Sequence, residues 1–179
     1  MRRISFIIFL MIIFTGCSNS SEDNIEKLLE KTPFPNSFEV LYQEKVDNGL
    51  IVLFKDESGF RHAFFSNKTE YWNISGNADL NPKDGFVWGM TNDPKIPKLT
   101  FAGVITDDNI QNVMVRQKTL NQQARMVSTD KGRFWFTIFD NLEEAAGQSD
   151  PLKIEAISAG GDIVWKDGVY NGKYYHGKT

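Results

Sequence analysis

The chain has 179 residues, with 20 Lys or Arg against 23 Asp or Glu, a formal charge of −3, and 41% hydrophobic side chains. This length and composition suit one globular domain or two small ones sharing an interface, and exclude an extensively disordered chain. The acidic balance argues against nucleic acid and anionic lipid headgroups as partners, and a single cysteine excludes an internal disulfide or thiolate metal site.

The first element is Arg2 and Arg3, then the apolar run 4–14, then Thr15-Gly16-Cys17. Positive, apolar and small, in that order, is a secretory signal. As a helix the run would measure about 16 Å, well short of the roughly 30 Å hydrocarbon core of a bilayer. The segment Phe14-Thr15-Gly16-Cys17 resembles the lipobox of bacterial lipoproteins, with Phe14 standing where an aliphatic residue is usual. The resemblance implies cleavage before Cys17 and acylation of its thiol, which makes Cys17 the lipidation site. An ordinary secretory signal cleaved nearby and an uncleaved anchor are the alternatives, and the short run disfavours the second. Two acyl chains would anchor stably, whereas one binds only marginally.

Residues 1–16 are thus expected to be a signal peptide, and 17–24 the lipidated cysteine and a polar tether. Without Arg2 and Arg3 the balance is 18 basic to 23 acidic side chains. No later apolar stretch is long enough to span a bilayer.

Next comes a short amphipathic helix. Ile25, Leu28 and Leu29 share one helical face, Asp23 and Glu26 have capping-box spacing, and Thr32-Pro33 ends the pattern, which predicts a helix over 24–31. From Phe38 the period becomes two. Asn48-Gly49 then marks a hairpin into strand 50–54, and Asp56-Glu57-Ser58-Gly59 a turn into strand 60–65, with shorter strands at 71–74 and 86–90. The segment 92–98, with Pro94 and Pro97, breaks this series and predicts a subdomain boundary. Strands follow at 99–105, 113–116, 125–128, 134–139, 152–157 and 163–165, with a helical turn over 141–147.

The expected fold class is therefore mainly β. It has a short N-terminal helix, an antiparallel meander within 25–93, and an immunoglobulin-like or related β-sandwich within 99–179.

No constellation for catalysis stands out. His62 shares strand parity with Phe60 and Phe64, which favours an aromatic face or a neighbouring acid, and His176 falls in a terminal segment expected to be mobile. Ala156-Ile157-Ser158-Ala159-Gly160 partly resembles a nucleophile elbow, but a strand rather than a helix is predicted after it. Asp93 and Asp107-Asp108-Asn109 lack the spacing of an EF-hand loop and read as turns. Glu143 and Glu144 read as a surface turn rather than a glycosidase pair. No phosphate-binding glycine loop occurs, so no cofactor is expected, and no metal site.

Aromatics are the unusual resource. Adjacent residues of a strand point to opposite faces, so in Phe134-Trp135-Phe136 either Trp135 or both phenylalanines face outward unless both faces are covered. Trp72, Trp88 and Trp135 are the candidate ligand-contact aromatics, set against the competing role of filling the core of a disulfide-free β domain.

The lipobox, the Asn48-Gly49 hairpin and the sheet pattern from Phe134 to Trp165 together resemble the small lipoproteins of Gram-positive bacteria, whose mature parts are compact β-rich domains. This resemblance implies placement on the outer face of the cytoplasmic membrane. Ser18 would also suit outer-membrane sorting in a cell with two membranes. The expected function is a binding or structural accessory domain without catalytic activity, for a protein, peptide or cell-wall glycan. A wall-directed hydrolase using dispersed carboxylates is the alternative.

Overall fold

The computed structural model describes residues 20–179 apart from 92, 94, 97, 118–119 and 141–151. Cys17, the helical turn expected over 141–147, and Glu143 and Glu144 lie outside the described residues.

The chain opens with α1 (Ser20–Leu29) and a 3-10 turn (Pro35–Ser37). A first sheet follows as a meander of β1 (Glu39–Val46), β2 (Gly49–Asp56), β3 (Gly59–Ser66) and β4 (Tyr71–Ile74). Next come β5 (Phe86–Thr91), β6 (Lys98–Ile105), β7 (Ile110–Gln117), β8 (Leu120–Gln123) and β9 (Arg125–Thr129). The chain continues with β10 (Gly132–Asp140), β11 (Lys153–Ser158), β12 (Ile163–Tyr170) and β13 (Lys173–Lys178). These nine strands build a second sheet ordered β5-β6-β10-β9 and a third ordered β13-β12-β11-β7-β8. Every pairing is antiparallel.

The sheets stack as layers, because the apolar side chains sort into three separate cores. Leu28 of α1 packs with Leu50, Val52, Phe54, Phe65 and Trp72 on the outer side of the first sheet. Ile51, Leu53, Phe60 and Phe64 of that sheet meet Ala102, Val104, Phe134 and Phe136 of the second. On the other side of the second sheet, Phe86, Phe101, Trp135 and Phe139 meet Val113, Val115, Ile154, Ala156 and Trp165 of the third. The order is helix, sheet, sheet, sheet. A strand covered on both faces has no wet side, which is why 50–54 is an unbroken apolar run rather than an alternation.

Gly103 marks how closely the middle layer is packed. It lies opposite Trp88 on one neighbouring strand and Trp135 on the other. A Cβ there would stand 1.9 Å from the Val87 carbonyl oxygen and 2.5 Å from Trp135 Nε1. Gly103→Ala is therefore expected to cost about 2 kcal/mol through forced backbone movement, read as a lowered urea midpoint. An unchanged midpoint would contradict this packing.

Three expectations need correction. The helix starts at Ser20, so most of the supposed tether is helical; Asp23 lies in its first turn, where an acidic side chain complements the helix dipole. Its end is fixed at Leu29, whose carbonyl accepts from the Thr32 hydroxyl at 2.9 Å. The segment 92–98 does not separate two sheets: it joins β5 to β6, adjacent strands of the second sheet, so the two halves share a core. The residues around His176 form β13, paired along its length with β12.

The first hairpin also shifts by one residue. Val46 pairs with Gly49, so Asp47-Asn48 is the turn and Asn48 takes the positive φ of 62°. Gly49 instead begins β2, where a Cβ would lie 2.1 Å from the Phe65 carbonyl oxygen.

Candidate functional site

The three candidate tryptophans are not brought together on a surface. Trp72 is buried beneath α1, and Trp135 is buried between the second and third sheets, stacked on Phe86 at 5.6 Å between ring centroids. Neither is accessible to a ligand, because the layers cover both faces of their strands. Trp88 is half-buried, and its Nε1 donates to Asp167 Oδ2 at 2.9 Å. Trp88 thereby ties the edge strand β5 to β12, and Asp167 also holds His176 Nδ1 at 2.9 Å. The exposed hydroxyl of Tyr174 is raised above its usual pKa, chiefly by its hydrogen bond to Asp167.

His62 lies between the first two sheets with Phe60 and Phe64, as its parity predicts, and is fully buried. Its partner is not an acid: Nε2 is 3.0 Å from Thr100 Oγ1, which is itself 2.6 Å from Thr91 Oγ1. Burial lowers its pKa to about 4, partly offset by the Thr100 backbone contact, so the ring is neutral at pH 7. Ser158 closes β11, and its hydroxyl accepts from the Asp162 amide at 3.2 Å. Asp93 and Asp107 accept from the amides two residues on, Lys95 and Asn109. Both are turn caps.

The outer face of the third sheet holds what the sequence missed. Glu155 alternates with Ile154 and Ala156, which point into the core, and so emerges on the opposite face. Arg116 Nε, on the adjacent strand β7, lies 2.6 Å from Glu155 Oε2, and the Tyr170 hydroxyl donates to Oε1 at 3.1 Å. This carboxylate is 5% exposed, and both partners compensate its burial. Burial, and then the Glu155 charge, push the Tyr170 hydroxyl well above the usual phenol range, so it stays a donor.

Around that anchor, Lys153 Nζ sits 4.9 Å from the Tyr170 ring centroid. Lys166 Nζ lies 5.0 Å from the Tyr170 centroid and 4.3 Å from that of Tyr175. The two rings are 5.9 Å apart at 80°. Lys173 is the cross-strand neighbour of Tyr170. Tyr175 is 41% exposed. Rings held at fixed angles beside ammonium groups can stack on a flat or C–H-rich ligand while the cations pair with its anions.

A usable signal for this face was present. Asn171-Gly172 is a second hairpin turn, with φ of 51° and 76°, and it places Tyr175 beside β12. The strand after it, Lys-Tyr-Tyr-His-Gly-Lys, has no apolar alternation, because none of its residues is buried.

Open, polar clefts lie beside Asp108, Gln111 and Arg133, beside Ser58, Asn77 and Asp79, and beside Lys31, Tyr71 and Asn73. Among the described residues no group of three or more His, Cys, Asp or Glu side chains is placed to hold a metal ion, and no helix is long and apolar enough to cross a membrane. Comparison with family models, with curated proteins and with solved structures finds no match to the chain.

Proposed function

We propose that the chain is a membrane-anchored extracytoplasmic lipoprotein whose β domain serves as a binding or structural accessory module rather than a catalyst. The observation that carries this reading is Cys17, the single cysteine, standing directly after Thr15-Gly16 at the end of an apolar run that Arg2 and Arg3 precede. Diacylation at that thiol holds the protein on the membrane.

The layer order supports a display role. Helix α1 begins three residues after Cys17 and packs on the outer side of the first sheet. With layers about 10 Å apart, the outer face of the third sheet lies roughly 30 Å from that helix. Helix α1, which follows Cys17 in the chain, is at one end of the stack and the Tyr170 face at the other.

The buried carboxylates of the third sheet do not favour the hydrolase. Asp167 points inward to Trp88 of the second sheet, while Glu155 points outward to Arg116 and Tyr170. Acids on opposite faces of one sheet cannot flank a single glycosidic bond.

Intact-mass analysis of protein extracted from its native membrane tests the proposal. The expected species begins at a diacylated Cys17, and Cys17→Ser removes both the lipid mass and the membrane association. A soluble, unmodified chain cut elsewhere would make this a secreted protein and end the anchored reading.

A further inference from the structure

We propose that the outer face of the third sheet binds a phosphodiester-linked sugar polymer. Tyr175, braced edge-on by Tyr170, stacks on a sugar ring, and Lys153, Lys166 and Lys173 pair with successive phosphates. This inference rests on the reading of the chain as an extracytoplasmic binding domain and names the ligand class of that face.

The tyrosines and the tryptophans differ in what covers them. Trp72, Trp135 and Trp165 are spent on cores, whereas Tyr175 is 41% exposed with its ring beside Tyr170. Tyr170 is not free to turn away, because its hydroxyl is bonded to Glu155 and Glu155 to Arg116. A preset pair of rings, one nearly perpendicular to the other, binds a sugar with little loss of side-chain freedom.

Among the described residues neither Lys153, Lys166 nor Lys173 has a carboxylate partner, and the carboxylate at the centre of the face, Glu155, is already matched by Arg116. Among the described residues the face is thus locally positive, on a chain of net charge −3. Acids farther than about 10 Å away are screened at 0.1 M salt, so the local sign decides.

The planar fork of arginine matches carboxylate and phosphate alike, and Arg116 is committed to Glu155. The cations without a carboxylate partner are ammonium point charges, which impose no planar geometry and accept the tetrahedral oxygens of a phosphate. They stand on β11, β12 and β13, three adjacent strands spanning roughly 10 Å, so a repeating anion engages more than one.

The test is titration of the membrane-extracted protein in detergent, at about 50 mM salt so that phosphate pairing is strong, with a phosphodiester-linked mannan. Dephosphorylated mannan, inorganic polyphosphate and polygalacturonate are the comparison ligands. Saturable binding to the phosphomannan is expected, weaker by roughly tenfold for the Lys153→Gln, Lys166→Gln double variant and by roughly tenfold for Tyr175→Ala. Neutral mannan and polyphosphate are each expected to bind far more weakly, since each offers half the contacts.

Equal binding to polygalacturonate, binding to polyphosphate that Tyr175→Ala leaves unchanged, or no binding to the phosphomannan would each overturn the proposal. Thermal melting of every variant separates loss of contact from loss of fold, and Lys166→Glu, at an accessible position, serves as a second variant expected to abolish binding. A chain that binds the phosphomannan but carries no lipid refutes the anchored reading alone. A lipidated chain that binds none of the four polymers refutes this inference alone.

Discussion

Trp135→Ala is expected to lower the stability of the domain by about 4 kcal/mol, the largest single effect of any substitution considered, because it deletes a fully buried indole from between two layers. Trp135 stacks on Phe86 and shares its core with Phe101, Val113, Ala156 and Trp165, from both the second and third sheets. Neither sheet can collapse into the space without dragging the other. Its Nε1 has no hydrogen-bond partner among the described residues. Trp135→Phe should therefore cost much less, about 1.5 kcal/mol, since it removes an uncompensated N–H along with some volume. Urea titration of both variants reads the difference. Equal losses would mean that the indole N–H matters and that the core account is wrong.

Acidification from pH 7 to pH 4 is expected to cost about 3 kcal/mol through His62 alone. In the unfolded chain the imidazole titrates near its usual 6.5, whereas burial lowers it to about 4 in the fold. Above pH 6.5 both states are neutral and the histidine makes no pH-dependent contribution. Between 6.5 and 4 the unfolded state binds a proton that the folded state does not, so stability falls as pH falls. Below 4 both are protonated and the histidine contribution is flat. His62→Gln keeps a donor for Thr100 and cannot titrate, so its stability profile should lack this step. Parallel profiles for the wild type and His62→Gln between pH 7 and 4 would refute the buried, neutral assignment.

Much of the strand pattern was legible because local rules governed it. The turns at Asn48 and Gly59 sit where their residues tolerate positive φ, and the alternation Ile154-Glu155-Ala156 sends Glu155 to the face opposite the core, although Arg116 and Tyr170 bury it there. The parity of His62 with Phe60 and Phe64 placed it on the right side of β3. The face carrying Tyr170 and Tyr175 was harder to see. Its four cations and Glu155 come from β7, β11, β12 and β13, and β13 has no hydrophobic period to announce it. The tryptophans misled for the opposite reason, since their exposure depends on what lies across the sheet.

By itself the sequence determined a mainly β chain, the turns between its strands, and an N-terminal segment whose order of charge, apolarity and small residues has a physical reading of its own. Those features follow from interactions within a few residues. Only the tertiary structure decided that the second sheet is the middle layer. An antiparallel strand points alternate side chains to two faces, but whether each face meets water or another layer is set by residues far away in the chain. Phe134, Trp135 and Phe136 are all buried because the first sheet covers one side of β10 and the third covers the other.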